Sequence, residues 1–107
     1  MKVIYNNILP FPGFAAINLF GILFVRENVI LTSRVLNHER IHTAQMKELL
    51  YVFFYLLYFL EWIIRLFKYR SKSYYNISFE REAYGNDGNP VYLKSRKFFA
   101  WTKFIVG

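Results

Sequence analysis

The residues best equipped for chemistry are Asn37-His38-Glu39-Arg40-Ile41-His42, an H-E-x-x-H motif within a stretch free of Pro and Gly. Positions i and i+4 share one face of a helix, so His38 and His42 can present imidazole nitrogens to a single Zn²⁺. Glu39 then flanks the ion without binding it. Its carboxylate is placed to take a proton from an activated water and pass it to a leaving amine, the acid–base work of a metal-assisted hydrolase. The only two histidines of the chain are the two that this motif needs. The plain alternative is a pair of ordinary surface histidines with Glu39 in an exposed ion pair.

A site of this type takes a third protein ligand, and with no cysteine and no further histidine in the chain it must be a carboxylate. Glu48, Glu61, Glu80, Glu82 and Asp87 all follow the motif, and Phe79-Glu80-Arg81-Glu82-Ala83-Tyr84 stands out for two Glu and a small Ala on one predicted helix. These residues resemble the gluzincin branch of zinc metallopeptidases, in which H-E-x-x-H is followed by a second helix bearing a ligand Glu within E-x-x-A-D. The resemblance implies Zn²⁺ on His38, His42 and Glu80, Glu39 as the general base, and Ala83 as the small residue that lets two helices approach. Gln45 agrees with the H-E-x-x-H-x-x-Q variant of some such families. The resemblance covers these two short segments and implies a class rather than a particular peptidase. Where many relatives carry an Asp that orients a ligand His, this chain has Tyr84. Its phenol is a candidate hydrogen-bond partner for a ligand or a donor to the substrate carbonyl. Glu82 is the rival ligand, but positions 80 and 82 lie about 200° apart around a helix, so only one of them faces the metal.

Positioning these groups sets conditions on the chain. Residues 2–9 and 15–25 are runs rich in Val, Ile, Leu and Phe divided by Asn6-Asn7 and Pro10-Phe11-Pro12-Gly13, which predicts a small antiparallel sheet. Arg26-Glu27-Asn28 is a polar turn, Thr32 and Ser33 are both suitable N-caps, and from there to Arg70 nothing breaks a helix. After Ser71-Lys72-Ser73, residues 74–84 read as a further helix, and Pro90 is placed to open a last, basic helix running to Ile105. A straight helix over 34–70 would end roughly 42 Å beyond His42, while the segment back to Glu80 spans at most about 33 Å. A straight helix and a Glu80 ligand exclude each other. A break is therefore predicted between Glu48 and Leu60, near residues 51–53, although no Pro or Gly announces it.

The 107 residues suit one domain, 1–107, and a composition 55% hydrophobic and 21% aromatic excludes intrinsic disorder. The absence of cysteine excludes a disulfide framework and a thiol nucleophile. The net charge of +7 is concentrated towards the C-terminus and interleaved with aromatics, as in Lys94-Ser95-Arg96-Lys97-Phe98-Phe99-Ala100-Trp101, a mixture suited to a lipid headgroup layer. Residues 49–60 carry no charge, and the apolar character continues to Phe67 around Glu61 and Arg65, which reaches across a membrane only if those two neutralise each other. Glu48, Tyr51, Tyr55, Tyr58, Glu61, Arg65 and Lys68 recur at steps of three and four, a stripe that predicts one wet helix face. The apolar run before Val25 lacks the flanks and cleavage site of a signal peptide.

The expected architecture is α+β: an N-terminal sheet followed by a zincin-like core of three to four helices. The expected activity is zinc-dependent hydrolysis of a peptide or protein substrate, in the cytoplasm or at a membrane. The alternative is a basic, aromatic-rich membrane-associated protein or subunit with a structural or absent metal, meeting lipid through residues 49–67 and the C-terminal helix. Nucleic acid is not an expected partner, since the basic residues form no recognisable binding module.

Overall fold

The computed structural model describes residues 2–6, 16–27 and 29–105. Among them, strands β1 (Lys2–Asn6), β2 (Ala16–Leu19) and β3 (Ile22–Arg26) precede helices α1 (Ser33–Glu48), α2 (Val52–Tyr69), α3 (Ser78–Asn86) and α4 (Tyr92–Ser95). Short 3₁₀ turns occupy Arg70–Lys72, Tyr74–Asn76 and Ala100–Phe104. The α+β class holds. The sheet is mixed rather than antiparallel: in the order β1-β3-β2, β3 pairs in parallel with β1 and antiparallel with β2. The apolar run read as one strand folds back at Phe20 and Gly21, whose φ values of 53° and 87° supply the left-handed pair that a two-residue hairpin requires. The predicted Pro10-Phe11-Pro12-Gly13 turn lies outside the described residues.

Helix α1 opens as predicted, with Thr32 Oγ1 accepting from the Val35 N–H at 3.2 Å. The predicted break is present. Beyond Glu48 the axis bends by 109°, through left-handed φ values of 54° at Leu50 and 63° at Tyr51. The Val52 N–H donates to the Leu50 carbonyl at 2.7 Å and the Tyr51 N–H to the Met46 carbonyl at 2.8 Å, so the turn recovers part of the hydrogen bonding that leaving the helix costs. Tertiary contacts hold what local propensity does not favour. The Tyr55 hydroxyl accepts from the Phe20 N–H at 2.9 Å and donates to the Asn18 carbonyl at 3.1 Å, fastening α2 to the β2–β3 hairpin.

The polar stripe of α2 is its inner face, which corrects the expected wet face. Tyr58 donates to Glu80. The two oxygens of Glu61 accept from the Ser78 N–H and Oγ at 2.6 and 2.7 Å, capping an α3 N-terminus that has no side-chain cap of its own. Arg65 is buried, against Glu61 and the Ile105 carbonyl. Apolar residues fill the outer face instead, with Leu56 60% and Phe67 88% exposed. Ordinary amphipathic packing is inverted here, because Tyr55, Tyr58 and Glu61 meet polar partners on the hairpin or α3 and Arg65 meets Glu61 and the Ile105 carbonyl.

Phe79, fully buried, lies 4.7 Å by ring centroid from both Phe54 and Trp101, and joins Met46 and Ile77 in the core. The long basic C-terminal helix is not formed. Its place is taken by α4, an extended Arg96 and a left-handed Phe99 (φ 56°) leading into the last 3₁₀ turn. Arg96 is drawn inwards: its guanidinium meets Glu48 at 3.0 Å and Glu82 at 2.5 Å, with all three side chains nearly fully buried. A helix continuing through residue 96 would forgo this pairing of one buried cation with two buried carboxylates.

Candidate metal centre

Helix α1 sets His38 and His42 one turn apart, and α3 lies across them with Glu80 pointing in. His42 Nε2 is 3.1 Å from His38 Nε2, and Glu80 Oε1 is 3.2 Å from the first-named motif histidine, His38, and 3.0 Å from His42. Three ligands bound tetrahedrally at about 2.0–2.1 Å stand roughly 3.3 Å apart, close to what is seen. All three residues are buried. The group can hold a metal ion.

The tautomers strengthen that fit. His38 Nδ1 faces Asp87 Oδ2 at 3.0 Å, and a carboxylate there calls for the ring proton on Nδ1. His42 Nδ1 faces Gln45 Oε1 at 2.8 Å, and the Gln45 amide is oriented by donating its Nε2 to the Phe79 carbonyl and to Glu82, both at 3.0 Å. Both Nε2 atoms therefore face a Glu80 oxygen and are the ring nitrogens open to a metal. Either a proton shared with Glu80 or a metal cation can satisfy this cluster of acceptors. Burial opposes a charge on His42, yet the Glu80 carboxylate, with Glu39 and the Gln45 contact, lifts it to about 9, so a metal binds here in competition with a proton. Burial also works against the Glu80 carboxylate and is outweighed by His42, His38 and Tyr58, which hold it well below the usual carboxylate range.

Tyr58 donates to Glu80 Oε2 at 2.6 Å, leaving Oε1 for the centre. Burial, with the Glu80 charge next, pushes the Tyr58 hydroxyl far up, so it stays a donor. Glu82 points away from the histidines, accepting from Tyr92 at 2.6 Å, Arg96 and Gln45. Burial would raise its carboxyl, but those partners hold it down. Ala83, fully buried on α3, is small as expected. Tyr84 is 42% exposed and sets its ring edge-on to His38 at 4.5 Å. The orienting role expected at position 84 falls three residues later, to Asp87, which also accepts from Arg34 Nε at 2.8 Å.

No family model, no curated protein and no solved structure matches this chain. Its chemistry must be read from the site itself. Glu39, beside the ligands, lines a cleft of about 390 Å³ with His42 and Glu80 as neighbours and Ile17, Met46 and Phe54 among its apolar walls. Burial pushes the Glu39 carboxyl up, more than the two histidines and Asn18 pull it down. Asn18 on β2 donates to the Glu39 carbonyl at 3.1 Å and to Thr43 Oγ1 at 3.0 Å, which pins that strand beside the general-base candidate. With β3 on its other side, β2 is the edge of the described sheet.

Asp87, Tyr58 and Tyr74, which also lines the cleft, were not assigned to the site from sequence. Asp87 sits in the loop after α3 and carries no spacing signal. Tyr58 lay within the stripe but on a face taken to be wet. Removing the partner of a ligand imidazole typically costs 10- to 100-fold in metal affinity or activity. Asp87→Ala is expected to weaken metal binding by about that factor in a chelator-competition titration, and unchanged affinity would mean that His38 is oriented by something else.

Proposed function

We propose that the chain is a zinc-dependent peptidase acting on peptide or protein substrates. The observation that carries the reading is the convergence of two Nε2 atoms and one carboxylate oxygen at the edge of a cleft that also holds Glu39. Two imidazoles and a carboxylate suit Zn²⁺ among the common divalent ions. When bound, the ion supplies Lewis-acid polarisation of a carbonyl and acidification of water. His38, His42 and Glu80 would hold it, and Asp87, Gln45 and Tyr58 would fix the orientation of those three.

Glu39 acts on the proton. Its raised affinity, from burial, suits a carboxylate that accepts a proton from water and returns it to the leaving amine. As the edge strand of the described sheet, β2 is placed to offer backbone groups to an extended substrate, and Asn18 pins it to the turn of α1 that carries Glu39. Tyr84, half exposed, and Tyr74 are the candidate donors to the substrate carbonyl, since Tyr74 reaches both cleft and Tyr84. Its hydroxyl is pushed up by burial and by Glu80, which keeps it a donor.

The test is metal content and hydrolysis together. Protein refolded with excess metal at neutral pH should retain close to one zinc per chain and cleave an unstructured fluorogenic peptide library, with activity removed by chelator and restored by zinc. Absence of bound zinc overturns the proposal, and zinc without any cleavage reduces the site to a structural one.

A further inference from the structure

We propose that the outer face of α2 seats on an anionic lipid surface, the helix lying along the membrane plane. At 100° per residue, the residues from Phe59 round to Leu57 sweep an arc of about 160° in which every side chain is aliphatic or Phe. Phe53, Leu56, Phe59, Leu60, Ile64 and Phe67 on this arc are all more than half exposed. The opposite side of the same helix keeps its polar groups for α3 and the hairpin. A helix left to choose in water would rotate the other way, so the outer arc is built to meet something apolar.

Lipid fits that arc better than a protein partner does. Protein interfaces carry about one hydrogen bond per 100–200 Å², whereas no side chain on this arc donates or accepts one. Charge agrees with the assignment. Exposed Lys68, Arg70 and Lys72 gather at the C-terminal end of α2 and exposed Lys47 precedes its N-terminal end, in a chain of net charge +7. Trp62, 36% exposed, sets its ring 6.1 Å from that of Phe59 at one margin of the arc, and indoles are enriched at headgroup layers. Phe20, 58% exposed with its ring 5.1 Å from that of Tyr55, extends the apolar surface on to the hairpin. No single helix among the described residues is long and apolar enough to cross a membrane, and the 109° bend turns α1 with its buried histidines away from the line of α2. The geometry is that of a helix lying on the surface.

The test is flotation of the full chain with vesicles of phosphatidylcholine alone and of phosphatidylcholine with phosphatidylglycerol. Binding is expected to the second, to be weaker on the first, and to weaken with salt. Leu56→Glu with Leu60→Glu should lower partitioning at least a hundredfold, since each substitution removes a buried leucine and adds a carboxylate. Metal content of that variant reports whether it is folded. Should it not fold, Arg70→Glu with Lys72→Glu serves instead, with binding reduced only on the anionic vesicles. A wild-type chain left in the supernatant with both vesicle types overturns the proposal. A dimer in sedimentation that the leucine substitutions dissociate, with no flotation, overturns it in favour of a second copy on this face.

Discussion

Glu39→Gln is expected to keep its fold and its metal while peptide hydrolysis falls by about 10²- to 10⁴-fold, the range that general-base catalysis accounts for. The expectation rests on a division of labour along one helix turn. His38 and His42 converge with Glu80 at 3.0–3.2 Å, whereas Glu39 lines the cleft outside that set. A glutamine keeps the size and the polarity of the side chain but accepts no proton. The ligand geometry depends on Asp87, Gln45 and Tyr58, none of which the substitution touches. Initial rates per bound zinc make the measurement. Unchanged rates would make Glu39 a bystander, and loss of metal would mean that it shapes the site itself.

The grouping of His38, His42 and Glu80 was legible in parts: helical periodicity pairs the two histidines, the resemblance of the Glu80 segment implied the third residue, and chain reach then set the path between them. His42 follows His38 by four positions on one face, and the distance available between residue 70 and Glu80 required a reversal, which the structure makes at Leu50 and Tyr51. The form of that reversal was not legible, since a left-handed Leu-Tyr pair has no local preference and is fixed by Tyr55 binding the hairpin. Long-range pairing also hid the parallel β1–β3 register, which depends on a partner some twenty positions away in the chain. The face of α2 was misread for a different reason. Periodicity identifies a polar stripe but not its direction, and here the stripe meets Glu80, Ser78 and Asn18 inside the protein. The predicted C-terminal helix yielded to the burial of Arg96 between Glu48 and Glu82, a non-local gain that no propensity records.

Glu80→Gln and Glu82→Gln, only two positions apart, are expected to differ in whether zinc is lost. Glu80 places one oxygen between two imidazoles and gives the other to Tyr58. Replacing it removes the sole anionic ligand, so zinc affinity should fall by more than about a hundredfold, beyond what the loss of a ligand's hydrogen-bond partner costs. The metal-free protein should also lose stability at neutral pH, because the carboxylate that keeps His42 charged is gone although the amide still accepts from Tyr58, so zinc affinity is the readout that separates the variants. Glu82 is not a ligand and reaches the centre only through Gln45. It answers Arg96 in a fully buried pair and receives hydrogen bonds from Tyr92 and Gln45. Arg96 keeps Glu48, so the cost is that of the broken charged hydrogen bonds, about 1–3 kcal/mol, and Glu82→Gln should unfold at lower denaturant while binding zinc at nearly wild-type affinity once folded. His42→Ala should follow Glu80→Gln in losing zinc. Chelator competition and urea unfolding on the same preparations separate the cases. Equal zinc affinity in the two glutamine variants would remove Glu80 from the ligand set and leave the two histidines without their third donor.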